Sequence, residues 1–460
     1  MQRRSFLKGV GAVTVLMNCG GISRVYARPL EKPTDDQKGV TFFIYTPPGF
    51  FAAAKQSDQA LEVQFNNIFT DVGRAGPRGQ IGFGFSFPYL NWTEGQGSGP
   101  YKIPERFQKY SETLMRVAAK LNVPVMIQFN GAVWHSPTEK SAFLTYWKTV
   151  DGGKYLSRYQ DGQVNAAISK RGAISTSDLR KYLDADPYGP EKKNSLFFTL
   201  SPYAIDFRAA RIAVLDQAVQ FWKTLDTEYP GVIQAFTTDS EVSTTSFRDI
   251  PGGKREIPIG FESWNTKPFC KINKIWDCKG FMRRQMDYKN PLDLKWFEFR
   301  AKNHLQFVQD TVDSIRRQFP ERLIFTHQIS VLDGELINRS YKDQDLASPQ
   351  WTGFARGANA GFTVYTYGGD RYRTQRRFID EVSAKSDGKA WGLLEFNTAR
   401  AFPGSREELD TFTKDFIAYA YERGVRVIAP LSWESNSLDL GIKGSGVDQG
   451  IKEFILGQTN

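Results

Sequence analysis

Extended apolar runs alternate with amphipathic segments eight times along this chain of 460 residues. The runs are rich in β-branched and aromatic residues with almost no polar alternation, which is typical of strands buried on both faces of a parallel sheet. The predicted strands cover residues 40–46, 81–87, 123–129, 232–238, 322–328, 361–367, 390–396 and 425–433. The pattern therefore predicts eight buried strands joined by helical crossovers.

The segments between these strands repeat apolar residues three and four positions apart, which is the spacing of a helix with one buried face. Helices are predicted at 104–122, 206–225, 291–319 and 406–424, and weaker patterns indicate others at 58–74, 345–357, 371–386 and 447–456. Eight β-then-α units predict an α/β fold of the (β/α)8 TIM-barrel type. A doubly wound open sheet is the alternative, although it would more usually have a Gly-rich turn after its first strand than TPPGFF at 46–51.

Two connections are much longer than the others, residues 130–202 after the third strand and residues 242–291 after the fourth. Both leave the carboxyl ends of strands, where barrel enzymes carry their active sites, so we expect them to wall a cleft. The second connection holds ten Lys or Arg against five Asp or Glu. That excess fits either a solvated basic loop or a loop that contacts an acidic polymer.

The N-terminus, QRRSFLKGVGAVTVLMN, resembles a bacterial twin-arginine export signal, with Arg3 and Arg4 before a short apolar stretch. A signal peptide is predicted over 1–27, a polar lead-in over 28–39 and one barrel catalytic domain over 40–460. The resemblance implies a periplasmic or secreted protein whose transient partner is the twin-arginine translocase. A lipid anchor on Cys19 is an alternative, and no stable membrane span is expected because the apolar stretch is too short.

Charge and cysteine content narrow the range of possible functions. The chain has a net charge of +10, and residues 1–27 hold four basic and no acidic residues, which leaves +6 after cleavage. Because this excess is modest and concentrated in one loop, nucleic-acid binding is not expected. Cys270 and Cys278 are predicted to form a local disulfide in an oxidising compartment, with two free thiols as the alternative. No metal-ligand spacing or cofactor motif is found, so no metal and no cofactor is expected.

Two carboxylates follow predicted strands on opposite sides of the barrel. Glu241 comes just after the fourth strand, in AFTTDSEVSTT, and Glu395 ends the seventh, in LLEFN. Facing carboxylates are what glycoside hydrolysis requires, since one attacks the anomeric carbon and the other protonates the leaving oxygen. An idle carboxylate in the apolar run before Phe396 would be costly to bury. Asp239 is the alternative carboxylate at the end of the fourth strand.

These positions resemble the clan A glycoside hydrolases, which are retaining (β/α)8 enzymes. The resemblance implies that Glu241 is the acid/base and Glu395 the nucleophile. It further implies sugar or nucleophile contacts from Tyr365 or Tyr367 on strand six, Trp433 on strand eight and His327 on strand five. The chain departs from the clan at Ser240, where most members have Asn, and it lacks a clear Arg after the second strand.

Asn130, Trp134 and His135 follow the third strand and are further candidates for sugar contacts, with loop packing as the alternative. Together these features predict an exported retaining glycoside hydrolase that cleaves β-linked bonds in a polysaccharide, and an acidic extracellular or cell-surface glycan is one candidate substrate. The alternatives are a non-catalytic barrel that binds or assembles polysaccharide, and a polysaccharide lyase on the same fold.

Overall fold

The protein forms a barrel of eight parallel strands. The computed structural model describes residues 39–45, 57–92, 101–131, 142–168, 172–173, 175–178, 196–238, 245–250, 253–284, 286–287, 290–329, 354–365, 371–399, 402–434 and 441–457. The barrel strands are β1 Val40–Tyr45, β2 Gly79–Phe87, β3 Val125–Phe129, β4 Ile233–Thr237, β5 in two halves, Leu323–Phe325 and Gln328–Ile329, β6 Gly361–Tyr365, β7 Trp391–Asn397 and β8 Val425–Pro430. The predicted (β/α)8 barrel is confirmed.

Each strand pairs in parallel with its neighbours in chain order, and β1 also pairs with β8. The circuit closes on the two halves of β5, because the first half pairs with β4 and the second with β6. Between the halves, the Thr326 amide donates to the Asn359 carbonyl and the Thr326 hydroxyl accepts from the Gly361 amide. These bonds replace the sheet ladder, so the strand predicted at 322–328 is interrupted at Thr326 and His327.

Helices cover the outside of the barrel. They are α1 Asp58–Val72, α2 Glu105–Leu121, α3 Ile205–Glu228, α4 Pro291–Gln318, α5 Arg371–Ser386, α6 Arg406–Glu422 and α7 Val447–Leu456. Side chains cap several of them, including Ser405, which forms a reciprocal capping box with Glu408 at the start of α6. The helix predicted at 345–357 lies mostly outside the described residues, and its last residues, 354–357, form turns and an irregular link.

The apolar residues form two layers. Side chains on the outer face of the strands, such as Phe42 and Ile44 of β1, pack with the helices in a large cluster. The alternate residues, Phe43 and Tyr45, point into the barrel. The inner cluster contains Phe43, Tyr45, Met126, Ala235, Phe325, Leu394, Val427 and Ala429. Burial on both faces explains the continuous apolar runs in the sequence.

The chain after β8 leaves the sheet earlier than predicted, at Pro430 rather than residue 433. The Trp433 amide donates to the Tyr45 carbonyl at 3.2 Å, and the Trp433 carbonyl accepts from the Lys443 amide at 3.1 Å. These bonds carry the chain across the end of β1, so Trp433 follows the strand instead of belonging to it.

The two long connections contain secondary structure of their own. The connection after β3 holds a helix, Ala142–Thr149, and a three-stranded antiparallel sheet, Ala166–Ile168, Gly172–Ala173 and Leu196–Phe198. The connection after β4 holds a hairpin, Thr245–Ile250 with Gly253–Pro258, and two helices, Ser263–Ile272 and Cys278–Arg283. Both connections start at the carboxyl ends of their strands.

The connections also pack against each other. The Gly260 amide donates to the Arg158 carbonyl at 3.1 Å, and the Tyr155 and Trp264 rings stack with centroids 5.3 Å apart. The predicted disulfide between Cys270 and Cys278 is confirmed, with its Cα atoms 5.7 Å apart. Within the described part of the chain, no helix combines the length and apolar character that crossing a membrane requires.

Candidate active site

The barrel interior becomes polar at the carboxyl ends of the strands. Six strands contribute inward side chains to this polar layer: Tyr45 from β1, Gln128 from β3, Thr237 from β4, His327 from between the halves of β5, Thr363 from β6 and Glu395 from β7. Five of them are buried. The Glu395 side chain is 16% exposed, so within this layer it is the group that solvent or a ligand reaches most readily.

A bulge in β7 aims Glu395 into the barrel. Leu393 and Phe396 both belong to the outer apolar cluster, although they are three positions apart, whereas Leu394 belongs to the inner cluster. The β6–β7 pairing shifts register here, from Phe362 opposite Leu393 to Thr363 opposite Glu395. A bulge re-aims side chains in this way. Consequently Leu394 and Glu395, consecutive in sequence, both face inward.

His327 is a neutral base in the polar layer. The amide nitrogen of Gln128 lies 2.8 Å from Nδ1 of His327, so Nδ1 is the acceptor and the proton is on Nε2. Nε2 donates to the Thr363 hydroxyl at 3.0 Å. Burial lowers the pKa of His327 to about 3. Its Nε2 is 3.9 Å from Oε1 of Glu395, and because the ring is uncharged at neutral pH this contact is a polar neighbour rather than an ion pair.

Tyr45 is another neighbour of Glu395. Burial, together with the negative charge of Glu395, raises the pKa of the Tyr45 phenol well above its usual range, so the hydroxyl keeps its proton. The hydroxyl is buried and has no hydrogen-bond partner among the residues that the structure describes. A carboxylate, a neutral imidazole and a protonated phenol are thus gathered at the carboxyl end of the barrel.

Two other predicted site residues are also described. Trp433 is 2% exposed and belongs to the large apolar cluster, so its role as a sugar platform stays a prediction. Asn130 follows β3 directly and is half-buried. Its backbone amide donates to the Phe87 carbonyl at 3.0 Å. This bond fixes Asn130 at the carboxyl ends of β2 and β3, on the same end of the barrel as Glu395.

The remaining predicted site residues are not placed. Asp239, Ser240, Glu241, Trp134, His135 and Tyr367 lie outside the described residues, as does the side chain of Tyr365. The described part of β4 ends at the carboxyl side of the barrel, where the Thr238 amide donates to the Phe325 carbonyl at 2.9 Å. The acid/base role of Glu241 therefore stays a prediction.

The sequence reasoning missed Tyr45, Gln128 and Thr363. Gln128 had a usable signal, because a polar residue inside the apolar run VMIQF is as costly to leave unpaired as Glu395 in its own run. Tyr45 ends β1 in the way that Glu395 approaches the end of β7, and strict alternation from Phe43 would have placed it inside the barrel.

The described residues contain no group of three or more His, Cys, Asp or Glu side chains arranged to hold a metal ion. The described polar layer offers a carboxylate, Glu395, beside neutral hydrogen-bonding groups. Such a carboxylate serves as a nucleophile or as a proton acceptor.

Comparisons with solved structures identify the fold. The catalytic domain of a β-amylase from Paenibacillus polymyxa superimposes with a TM-score of 0.57 at 9% sequence identity, over 92% of this chain and 99% of that one. The β-amylase domain has the barrel fold of glycoside hydrolases. A β-galactosidase from Rahnella sp. R3 (TM-score 0.54, 11% identity) and one from Marinomonas ef1 (0.54, 9%) match over 93% and 90% of this chain.

This chain spans 56% and 58% of the length of those two β-galactosidases. Neither a protein-family model nor a curated protein matches the sequence. At identities near 10% the likeness is one of fold, and function has to be argued from the site.

Proposed function

We propose that the protein is an exported retaining glycoside hydrolase in which Glu395 is the nucleophile and Glu241 the acid/base. The observation that carries the proposal is the bulge in β7, which delivers Glu395 to a polar layer that is otherwise buried. Placing a carboxylate there costs free energy through desolvation. The cost is understandable when the carboxylate attacks a bound sugar.

In the proposed reaction a Glu395 oxygen attacks the anomeric carbon while the Glu241 carboxyl gives its proton to the departing glycosidic oxygen. The glycosidic bond breaks and a glycosyl ester forms on Glu395. Glu241, now a carboxylate, then takes a proton from water as the water attacks the anomeric carbon and displaces Glu395. Two displacements at one carbon retain its configuration.

The neighbours of Glu395 suit this chemistry. His327 is neutral, so it does not neutralise the attacking carboxylate as an imidazolium would. The Tyr45 hydroxyl is protonated and available as a hydrogen-bond donor at the same place. A donor beside the nucleophile holds its orientation and stabilises it when it departs in the second displacement.

The substrate is proposed to be a polysaccharide with β-linked sugars. The long connections after β3 and β4 leave the end of the barrel that holds Glu395 and offer walls for an extended chain. Two similar structures are named β-galactosidases, which makes β-linked sugars the first class to test. Export by the twin-arginine route through residues 1–27 is part of the proposal, and the disulfide supports an oxidising compartment such as the periplasm or the exterior.

The test uses three Glu→Gln variants on a panel of aryl β-glycosides and β-linked polysaccharides. Glu395→Gln and Glu241→Gln should each lower kcat at least about 1,000-fold, because each removes a group that acts in the transition state. Glu434→Gln is the matched control, since Glu434 lies at the same end of the barrel with a side chain that is 70% exposed. It should retain wild-type kcat.

The configuration of the first product, followed by proton NMR, separates retention from inversion. Azide added to the Glu395→Ala variant should give the inverted glycosyl azide, whereas azide added to the Glu241→Ala variant should give the retained one. Polysaccharide binding with no product from the wild type would indicate a non-catalytic barrel. An unsaturated product that absorbs in the ultraviolet would indicate a lyase.

A further inference from the structure

The outer surface of residues 263–283 is strongly basic. Its five cationic side chains are Lys267, Lys271, Lys274, Lys279 and Arg283, and all five are exposed. Asp277 is the one acidic residue in this stretch, which gives the segment a net charge of +4. None of the five cations forms an ion pair with a residue that the structure describes. Their exposed charged groups can therefore meet an external anion.

The same surface carries a fully exposed tryptophan. Trp276 is 101% exposed, and Ile272, four positions earlier, is 69% exposed. The segment does not need these two side chains for its apolar core, because other residues already form that core. Phe269, Phe281 and Met282 pack with Trp296 of α4 in a separate apolar cluster. The Trp276 ring is thus presented on the surface, where its flat apolar face can stack on a ligand.

Covalent and hydrogen bonds hold Trp276 in this exposed position. The Cys270–Cys278 disulfide closes the chain on both sides of it. The Ile275 amide donates to the Cys270 carbonyl at 2.9 Å, and the Asp277 carboxylate accepts from the Gly280 amide at 2.8 Å. A side chain presented on so short and constrained a loop loses little conformational entropy when it binds a partner.

The segment belongs to the connection that leaves the carboxyl end of β4, the same end of the barrel as Glu395. It is anchored to the other long connection at its base, where Trp264 stacks on Tyr155 and the carboxylate of Glu262 accepts from the Arg158 amide. Burial raises the pKa of Glu262, and its environment includes the nearby Arg300 guanidinium. The exposed face of 263–283 is therefore part of a built structure on the active-site end of the barrel.

We propose that residues 263–283 form a binding surface for an acidic polysaccharide, in which the Trp276 ring stacks on the apolar face of a pyranose and the lysines pair with carboxylate groups of neighbouring sugars. The inference rests on the proposed function in one respect, which is that the bound polymer is also the substrate. The surface holds the polymer outside the polar layer and concentrates it near Glu395.

The chemistry of the surface favours a polymer over a membrane. An interfacial helix needs a continuous apolar face, and the apolar face of Ser263–Ile272 is turned inward against α4. Ile272 and Trp276 alone offer little apolar area for insertion into lipid. A single aromatic ring set among spaced cations instead matches a chain that alternates sugar faces with negative charges.

Binding is tested in the Glu395→Gln background, so that the polymer is not consumed. Isothermal titration calorimetry with carboxymethyl cellulose, an acidic β-linked polymer, should show binding that weakens about tenfold or more between 20 and 200 mM NaCl, whereas uncharged hydroxyethyl cellulose, which has the same backbone, should bind weakly at both. Trp276→Ala should weaken carboxymethyl cellulose binding about tenfold. The double variant Lys271→Gln/Lys274→Gln should weaken it similarly and reduce its dependence on salt.

The matched control is Lys109→Gln/Lys389→Gln, which removes two exposed charges from other faces of the barrel and should leave binding within about twofold. Wild-type affinity in both Trp276→Ala and Lys271→Gln/Lys274→Gln would overturn the proposal. Binding to phosphatidylglycerol vesicles without binding to carboxymethyl cellulose would also overturn it, in favour of a lipid surface. Hydrolysis of short β-glycosides, measured separately, tests the proposed function, and polymer binding tests this proposal. The failure of one can therefore be told apart from the failure of the other.

Discussion

His327 illustrates how one residue links the fold to the chemistry of the site. Its imidazole is buried between Gln128 and Thr363, and its pKa in the folded protein is about 3, against 6.5 for an exposed histidine. A base whose pKa is lowered by folding contributes stability that is fully present above pH 6.5. That contribution is lost as the pH falls from 6.5 towards 3, because His327 then binds a proton in the unfolded chain but not in the folded one.

The free energy of unfolding should therefore fall more steeply with acid in the wild type than in His327→Gln. Between pH 6 and pH 4 the slopes of unfolding free energy against pH should differ by nearly the value for one proton, about 1.4 kcal/mol per pH unit. Urea titrations at pH 7, 5.5 and 4.5 measure both slopes. Parallel slopes would mean that His327 is protonated in the folded protein.

Prediction at the scale of residues was uneven for a physical reason. Glu395 could be singled out from sequence, since desolvation makes a carboxylate conspicuous in an apolar strand. Tyr45 and Thr363 could not be connected to it, because their proximity arises from pairings between β1, β6 and β7, which are distant in sequence. The bulge that turns Glu395 inward leaves no mark in the local pattern beyond the odd spacing of Leu393 and Phe396.

Among the elements, β6 lies close to both β5 and β7 at Gly361. A Cβ atom at Gly361, the first residue of β6, would overlap the carbonyl oxygen of Thr326 and the side chain of Leu394. Glycine at this position lets β6 approach the interruption in β5. The bulge that orients Glu395 lies directly beside this contact, so the fit of the strands and the aim of the carboxylate depend on each other.

Gly361→Ala should lower the free energy of unfolding by about 1–3 kcal/mol, since the added methyl group meets backbone atoms that cannot move aside cheaply. It should also lower kcat by displacing Leu394 and Glu395. Gly392→Ala is the control, because the nearest atom to its Cβ is the end of the Leu394 side chain at 3.1 Å. Urea midpoints and rates on one β-glycoside compare the two variants, and equal losses would contradict this account.

The disulfide constrains a single short loop, the one between Cys270 and Cys278. Cys270→Ser/Cys278→Ser should lower the local stability of 263–283 by about 2–3 kcal/mol, the chain-entropy value for a loop of this length. Hydrogen exchange at the Ile275 amide, which bonds to the Cys270 carbonyl, should become faster. The urea midpoint of the barrel should stay the same, and a large drop in it would show that the loop supports the whole fold.

Sequence periodicity predicted the barrel elements well, because each carries its own pattern. The bounds of α5 and α7 match the predicted 371–386 and 447–456. The interruption of β5 and the short antiparallel strands of the long connections were not predicted. These features depend on partners elsewhere in the chain, such as Leu196–Phe198, which pairs with Ala166–Ile168.

For the molecule as a whole, export is the property open to the simplest test. Arg3→Lys/Arg4→Lys keeps the charge of the N-terminus but removes both guanidinium groups, and Lys cannot reproduce their planar hydrogen bonding. We expect the uncleaved protein to accumulate in the cytoplasm with Cys270 and Cys278 reduced. Cell fractionation with thiol alkylation measures both effects. Lys8→Arg is the control, and normal export of the double-lysine variant would refute a twin-arginine signal.

The pairing of β1 with β8 has a consequence for how the chain is made. Thr41 pairs with Val427, so the first strand of the barrel to be synthesised waits for the eighth. Until the eighth strand is made, β1 presents an unfilled edge, the kind of surface that recruits chaperones or a wrong partner. A chain interrupted before Val425 would leave β1 and β7 each without one of their two neighbouring strands. Closure of this barrel therefore has to await the synthesis of its eighth strand.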